Sequence, residues 1–123
     1  LLRRVYNQFK LTDENQIAYL WLKKSDYSKT GATREDTEGL IDHIRAIEPV
    51  VVACLFEEVE PGETRISLRS KHPDVNVNEI AKLFGGGGHK AASGARMEGS
   101  QLSVQRKVIS AIRKALKTLS PEE

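Results

Sequence analysis

The sequence predicts a single α/β domain with a mixed sheet of four to five strands flanked by helices. Three observations lead to this fold class. Residues 50–56 are a continuous β-branched and apolar run, typical of a central strand covered on both faces. Apolar residues recur at helical spacing in two segments, 40–47 and 108–119. The chain has 123 residues, 39% of them hydrophobic, which suits one core and leaves no room for a second domain.

The charge balance restricts the kind of partner. Nineteen basic and seventeen acidic residues give a net charge of +2, so any binding of nucleic acid must be local. The single cysteine, Cys54, excludes an internal disulfide and fits a reducing compartment. No segment has the apolar length of a membrane span and no signal peptide is visible, so we expect a soluble cytoplasmic protein with no membrane partner.

The first elements are read from apolar spacing. Residues 2–10 show a helical pattern, interpreted as the end of an interdomain connector, which divides the chain into a connector, 1–11, and a domain, 12–123. The first residue is not methionine, which predicts a piece of a longer protein. Residues 17–22 are expected to form a buried strand, and 25–29 a short helix. A capping-box spacing of Thr33 and Asp36 opens the helix that follows.

A hairpin is expected after the central strand. The acidic segment 57–63 contains Pro61-Gly62, a turn signal, and leads into a strand over residues 64–70. In that strand two apolar residues alternate with polar ones, so one face presents Arg65, Ser67 and Arg69.

Caps and terminators define the last elements. Asn76 is placed to cap a short helix that ends at Gly85. A short edge strand is predicted over residues 95–98, followed by a helix capped by Ser100 or Ser103. The outer face of that helix is basic, which is typical of a solvated surface.

The run Gly85–Gly88, followed by His89 and Lys90, is the main candidate for function. It matches neither the Walker frame nor the dinucleotide fingerprint, because its lysine lacks the following hydroxyl and the run follows a helix instead of a strand. What remains is a nest of backbone amides with an imidazole and a cation, which suits one phosphate. Arg69, Ser70 and Lys71, at a strand end, are expected to share the same rim. The alternative is a flexible loop without function.

Catalytic groups are not visible in the chain. The three histidines, His43, His72 and His89, fall in different elements and lack metal-ligand spacing, so no metal site is predicted. Asp36 and Glu38 could be a carboxylate pair, although acidic residues are expected in a first helical turn from the dipole alone. His89 is therefore given a binding or transition-state role.

Several segments together resemble a known family. Residues 67–71 (SLRSK), 75–81 (VNVNEIA), 84–89 (FGGGGH) and 92–95 (ASGA) are similar to the DHH-associated domain of the DHH phosphoesterases. Residues 36–40 (DTEGL) resemble the family segment that opens the helix before the central strand. The resemblance extends from about residue 14 onward and is greatest to the bacterial nano-RNase branch of oligoribonucleases and adenosine-bisphosphate phosphatases.

The resemblance implies a two-domain hydrolase. An N-terminal Asp-His-His domain would hold two manganese ions, and the present domain would grip short single-stranded RNA or nucleotides. By position, Gly85–Gly88 and His89 would contact a phosphate, Arg69 and Ser70 would hold a neighbouring one, and Lys71 and Lys90 would assist. This sequence has no Asp-His-His motif, so the chain alone is expected to bind no metal and to be inactive. A homodimer would form through the parent protein.

Two other readings stay open. The chain could be a non-catalytic nucleotide- or RNA-binding module, or a structural or dimerisation domain in which the glycines make a tight connection. A single-strand-specific exonuclease domain is a further variant, although a long-strand enzyme would be expected to show a basic track with stacking aromatics. The pattern does not choose among oligoribonucleotide, dinucleotide and 3′-phosphoadenosine 5′-phosphate as substrate.

Overall fold

The computed structural model describes residues 9–23 and 34–119, with side chains in the first helix from residue 38 onward. The described part contains three helices, α1 (Arg34–Arg45), α2 (Val77–Lys82) and α3 (Gln101–Leu116). Its six strands are β1 (Lys10–Thr12), β2 (Ile17–Leu22), β3 (Val52–Glu60), β4 (Glu63–Ser70), β5 (Gly87–Gly88) and β6 (Ala92–Glu98).

The strands form one mixed sheet in the order β1-β2-β3-β4-β6-β5. Strands β2 and β3 are parallel, and all other neighbours are antiparallel. The α/β class is therefore confirmed, with a sheet slightly larger than the four to five strands predicted. The extra strands have three and two residues, which is too short for a period-2 pattern to be recognised.

Two cores lie on opposite faces of the sheet. On one face Phe56 is fully buried and stacks on Trp21 with ring centroids 4.6 Å apart, under the apolar sides of α2 and α3. On the other face Leu40, Ile41 and Ile44 of α1 cover residues of β2 and β3. Strand β3 is thus buried on both faces, as its continuous apolar run indicates.

The second core leaves part of the sheet open. All the strand residues in it come from β2 and β3, and the same face of β4 and β6 contributes none, although α1 also lies beside β4. This part of the sheet face contains the polar side of β4, where the candidate site lies.

Several predicted boundaries can be compared with the structure. The two-residue turn Pro61-Gly62 joins β3 to β4, and β3 runs through the acidic segment to Glu60. Asn76 caps α2 by accepting hydrogen bonds from the Asn78 and Glu79 amides at 3.0 and 3.3 Å. Ser100 and not Ser103 caps α3. The predicted helix over 25–29 lies outside the described residues, as does the connector helix, except that Lys10 opens β1.

The position of β6 corrects the prediction of a short edge strand over residues 95–98. The strand begins at Ala92 and lies between β4 and β5, so it is internal. Its first residues are small and lack alternation, so only pairing with β4 reveals them as a strand. None of the helices in the described ranges is long and apolar enough to cross a membrane.

An ion pair joins the β1–β2 turn to α3. The Arg113 Nε donates to Asp13 Oδ2 at 2.7 Å, across 100 positions of the chain. This hydrogen bond is the largest influence on the Asp13 carboxyl and holds its pKa below the usual value. It also raises the pKa of Arg113. The pair therefore fixes the turn to the last helix when the carboxyl is ionised.

We expect Asp13→Asn to lower the free energy of unfolding at neutral pH by less than about 1 kcal/mol, because the pair is partly exposed. A folded-state pKa below the unfolded one gives stability that is present above the unfolded pKa and is lost as pH falls through the folded pKa. The difference between wild type and variant should therefore disappear in acid. Urea unfolding at pH 7 and pH 3 measures it, and a difference that grows toward acid would contradict the assignment.

Candidate functional site

The glycine run begins as the end of α2. The Gly86 amide donates to the Ala81 carbonyl at 2.9 Å and the Gly85 amide donates to the Lys82 carbonyl at 3.2 Å. Gly85 has φ of 80°, a conformation that favours glycine. These bonds form the Schellman pattern that satisfies the last carbonyls of a helix. The predicted role of Gly85 as a helix terminator is confirmed.

The next glycine allows two backbone segments to touch. A Cβ on Gly86 would lie 2.1 Å from the Gly94 carbonyl oxygen, in the neighbouring strand β6. Gly88 donates its amide to Asn78 Oδ1 at 2.9 Å, and Gly87 and Gly88 pair with β6 as β5. The run is thus fixed on both sides, which argues against a flexible loop. The fold alone therefore explains why some positions of this run require glycine.

His89 and Lys90 lie at the hairpin between β5 and β6. The His89 and Ala92 backbones exchange hydrogen bonds at 2.7 and 3.2 Å, and the Lys90 carbonyl accepts from the Val77 amide at 2.9 Å. Both side chains are exposed and neither lines the groove described next. The imidazole and ammonium are therefore presented to solvent beside the groove.

An open groove of about 600 Å³ lies on the polar face of β4 and β6, beside α1. Its floor is made by small residues, Ser67 on β4 and Ala92 and Gly94 on β6. The glycine run forms one wall, and Glu38 of α1 contributes to the lining. Three arginines also line it, Arg65, Arg69 and Arg96.

The groove presents cations at an accessible surface. The Arg69 Nη1 donates to the Leu68 carbonyl at 3.0 Å, and Arg96 forms an ion pair with Glu63 at 3.2 Å. Each guanidinium has five N–H donors, so these contacts leave donors free for an anion. The arrangement can bind phosphate oxygens through charge-assisted hydrogen bonds.

Side chains that could bind a metal ion are dispersed in the described part of the chain. Within residues 9–23 and 34–119 no group of three or more His, Cys, Asp or Glu side chains is placed to hold a metal ion. Cys54 is buried, and its burial raises the pKa of the thiol. His72 accepts a hydrogen bond from the Asp74 amide at 3.0 Å, in a loop turn. The groove is instead lined by arginines, whose N–H groups can donate hydrogen bonds to an anion.

Two predicted site residues point elsewhere. Ser70 is buried, and its Oγ donates to the His72 carbonyl at 3.0 Å. Lys71 donates through Nζ to the Ile47 carbonyl at 3.1 Å. Neither lines the groove. Ser70 lies on the opposite face from Arg69 because side chains alternate along a strand, and Lys71 follows the end of β4. The structure brings together Arg69, Gly85, Gly87 and Gly88 from the predicted set.

Sequence reasoning did not assign Arg65, Ser67, Gly94 or Arg96 to the site. Arg65 and Ser67 share the polar face of β4 with Arg69, and this alternation was visible in the sequence. Arg96 alternates with Gly94 on β6, directly across from β4. Recognising it required β6 to be placed next to β4, which the expected edge strand did not suggest.

Comparison with known proteins identifies the family. The DHHA1 domain model matches residues 14–119. A relative from Streptococcus mutans, named probable bifunctional oligoribonuclease and PAP phosphatase NrnA, is 36% identical over 83 residues, which is 68% of this chain and 26% of that protein. The chain spans about a quarter of the length of the curated relatives of this name.

Solved structures show the same fold. An exopolyphosphatase-related protein from Bacteroides fragilis superposes with a TM-score of 0.80 at 27% identity, covering 92% of this chain and 33% of that one. The C-Ala domain of Aquifex aeolicus alanyl-tRNA synthetase superposes with a TM-score of 0.61 at 14% identity, covering 89% and 97%. With the DHHA1 model matching most of its length, the chain belongs to the DHHA1 domain family, and its curated relatives include proteins named as oligoribonuclease and PAP phosphatase.

Proposed function

We propose that this chain is the substrate-binding domain of a manganese-dependent phosphoesterase that hydrolyses short oligoribonucleotides or dinucleotides, and 3′-phosphoadenosine 5′-phosphate. The observation that supports this most is the arginine-lined groove beside the glycine run. The names of the curated relatives support the substrate class. The groove supplies the phosphate contacts that such substrates need.

Arg69 is the groove arginine closest to the β5–β6 hairpin, because it pairs with Ala92, the first residue of β6. Its guanidinium would hold a phosphate against the wall made by Gly85, Gly87 and Gly88. Because those glycines have no side chains, a ligand can approach the backbone closely. The small floor residues leave space for a sugar. These groups would position a substrate, and none of them would react with it.

The hairpin tip adds two groups from outside the groove. His89 and Lys90 are exposed, so they are accessible to a phosphate that extends beyond the glycine wall. We propose that His89 contacts the transferred phosphate and that Lys90 adds positive charge there.

Hydrolysis is assigned to another part of the parent protein. We propose that an N-terminal Asp-His-His domain binds two manganese ions, which activate water and stabilise the developing charge. This assignment is supported by the greater length of the curated relatives, of which the chain spans about a quarter. We further propose homodimerisation through the parent protein and a cytoplasmic location, which suits the free, buried Cys54.

Titration of the chain with the dinucleotide pApA tests the binding role. We expect saturable binding that weakens as salt rises, because guanidinium–phosphate contacts are screened. We also expect no release of mononucleotide when manganese is added. Absence of binding would contradict the proposed function, and favour a structural or dimerisation role. Hydrolysis that survives repurification would contradict the assignment of catalysis to another domain.

A further inference from the structure

The first turn of α2 holds the hairpin that joins β5 to β6. The Val77 amide donates to the Lys90 carbonyl at 2.9 Å, and the Ser93 Oγ donates to the Val77 carbonyl at 2.6 Å. A third hydrogen bond runs from the Gly88 amide to Asn78 Oδ1 at 2.9 Å. Of the three, this is the bond that depends on a side chain of α2, so a substitution can remove it without changing the helix backbone.

The Gly88 amide points away from β6. His89 and Ala92 exchange both of their backbone hydrogen bonds, at 2.7 and 3.2 Å. In an antiparallel ladder the next pair, Gly88 and Ser93, is then a non-hydrogen-bonded pair. Strand β5 is the last strand of the described sheet, so this amide faces the outer edge, where Asn78 accepts its hydrogen bond.

The position of the His89 imidazole depends on this part of the backbone. The side chain is exposed, so the direction in which it projects is set mainly by the residues on either side of it. Lys90, on one side, is held by the Val77 amide. On the other side, Gly88 has φ of 151°, and a glycine has more accessible conformations than any other residue. The bond to Asn78 therefore fixes the flexible side of the histidine.

We propose that Asn78 is a positioning residue, which holds the Gly88 amide so that the His89 imidazole projects toward the phosphate of a bound nucleotide. This inference rests on the proposed function, in which His89 contacts that phosphate. Asn78 does not line the groove, so its effect on a ligand passes through the hairpin. Because an amide N–H can only donate, the role requires an acceptor oxygen on the side chain at this position.

The test is a calorimetric titration of wild type and an Asn78→Ala variant with pApA. We expect the variant to bind about five- to tenfold more weakly, because the ligand must then order the hairpin as it binds. Alanine has the highest helix propensity, so we expect α2 to form in the variant. Asn78→Asp keeps an acceptor oxygen and should bind within about threefold of wild type at moderate salt, which screens its added charge. An Asp variant as weak as the Ala variant would contradict the role of the acceptor.

Asn76→Ala is the matched control for a purely structural effect. Asn76 is the same residue type in the same part of the helix, and its Oδ1 accepts hydrogen bonds from the Asn78 and Glu79 amides. Both bonds stay within α2. Loss of this cap should lower the free energy of unfolding but leave the affinity for pApA within about twofold of wild type. Equal weakening in the two Ala variants would show that helix stability, and not the hairpin, accounts for the loss.

A His89→Ala background tests whether the effect passes through the histidine. There, Asn78→Ala should weaken binding by less than about twofold, because the group that it positions is gone. An undiminished loss in that background would contradict the inference. If Asn78→Ala binds pApA as tightly as wild type while Arg69→Ala weakens binding, the positioning role is wrong and the proposed function stands. If Arg69→Ala and His89→Ala both leave the affinity unchanged, the proposed function fails.

Discussion

Replacing Gly86 with alanine is expected to lower the free energy of unfolding by about 3 kcal/mol or more. The added Cβ would lie 2.1 Å from the Gly94 carbonyl oxygen and 2.7 Å from the Ala95 Cβ. Both are parts of β6, an internal strand held by β4 on its other side. Because backbone cannot move aside as a flexible side chain can, the clash must displace α2 or the sheet. Urea unfolding measures the loss.

Gly87→Ala is the matched control. The nearest atom to a Cβ there is Asn78 Oδ1 at 3.4 Å, an ordinary contact, and its φ is not positive. We expect a free energy of unfolding within about 1 kcal/mol of wild type. Equal losses in the two variants would show that the close approach of α2's end to β6 is not what requires glycine in this run.

Arg69→Ala is expected to weaken binding of pApA by about 10- to 100-fold, the range for hydrogen bonds to charged groups. Arg69 lines the groove, and its Nη1 donates to the adjacent Leu68 carbonyl, which leaves other N–H donors for phosphate. Titration calorimetry at fixed, moderate salt measures the loss. Arg69→Lys should recover only part of the affinity, because an ammonium lacks the planar fork.

Arg106→Ala serves as the control for loss of charge. Arg106 is exposed on α3, which packs against the other face of the sheet, so the variant has the same net charge as Arg69→Ala without touching the groove. Its affinity should stay within about twofold of wild type, since exposed charges at this distance are screened. Equal weakening in the two variants would indicate a diffuse electrostatic effect in place of a phosphate contact.

Much of the fold could be predicted because many elements are defined by residues that are close together in the sequence. Strand β3 is apolar from Val52 to Phe56, and Asn76 stands in the capping position of α2, so both were recognised from neighbouring residues. Strands β5 and β6 begin with glycine and small residues, which have weak strand propensity and no alternation. They are strands only because β4 pairs with β6, a tertiary contact that no local pattern contains.

The candidate site also combines residues that a local pattern reveals with residues that only tertiary contacts reveal. Arg69 and the glycine run were identified from the sequence, and the groove contains both. Ser70 was grouped with Arg69 because it is adjacent in sequence, but adjacent strand residues face opposite ways. Arg96 was missed for the converse reason, since it lies opposite Arg65 in space and 31 positions away in sequence. On a sheet face built from several strands, residues that are neighbours in space can be far apart in the sequence, and residues adjacent in the sequence can lie on opposite faces.

The most direct measurement is a map of the backbone amide chemical shifts of the chain during titration with pApA. We expect the largest shifts to follow the groove, at Gly85, Gly87, Ser67, Gly94 and the three groove arginines, with α3 unchanged. Shifts centred on the basic side of α3, or none at saturating dinucleotide, would contradict the assignment of the groove as the phosphate-binding site.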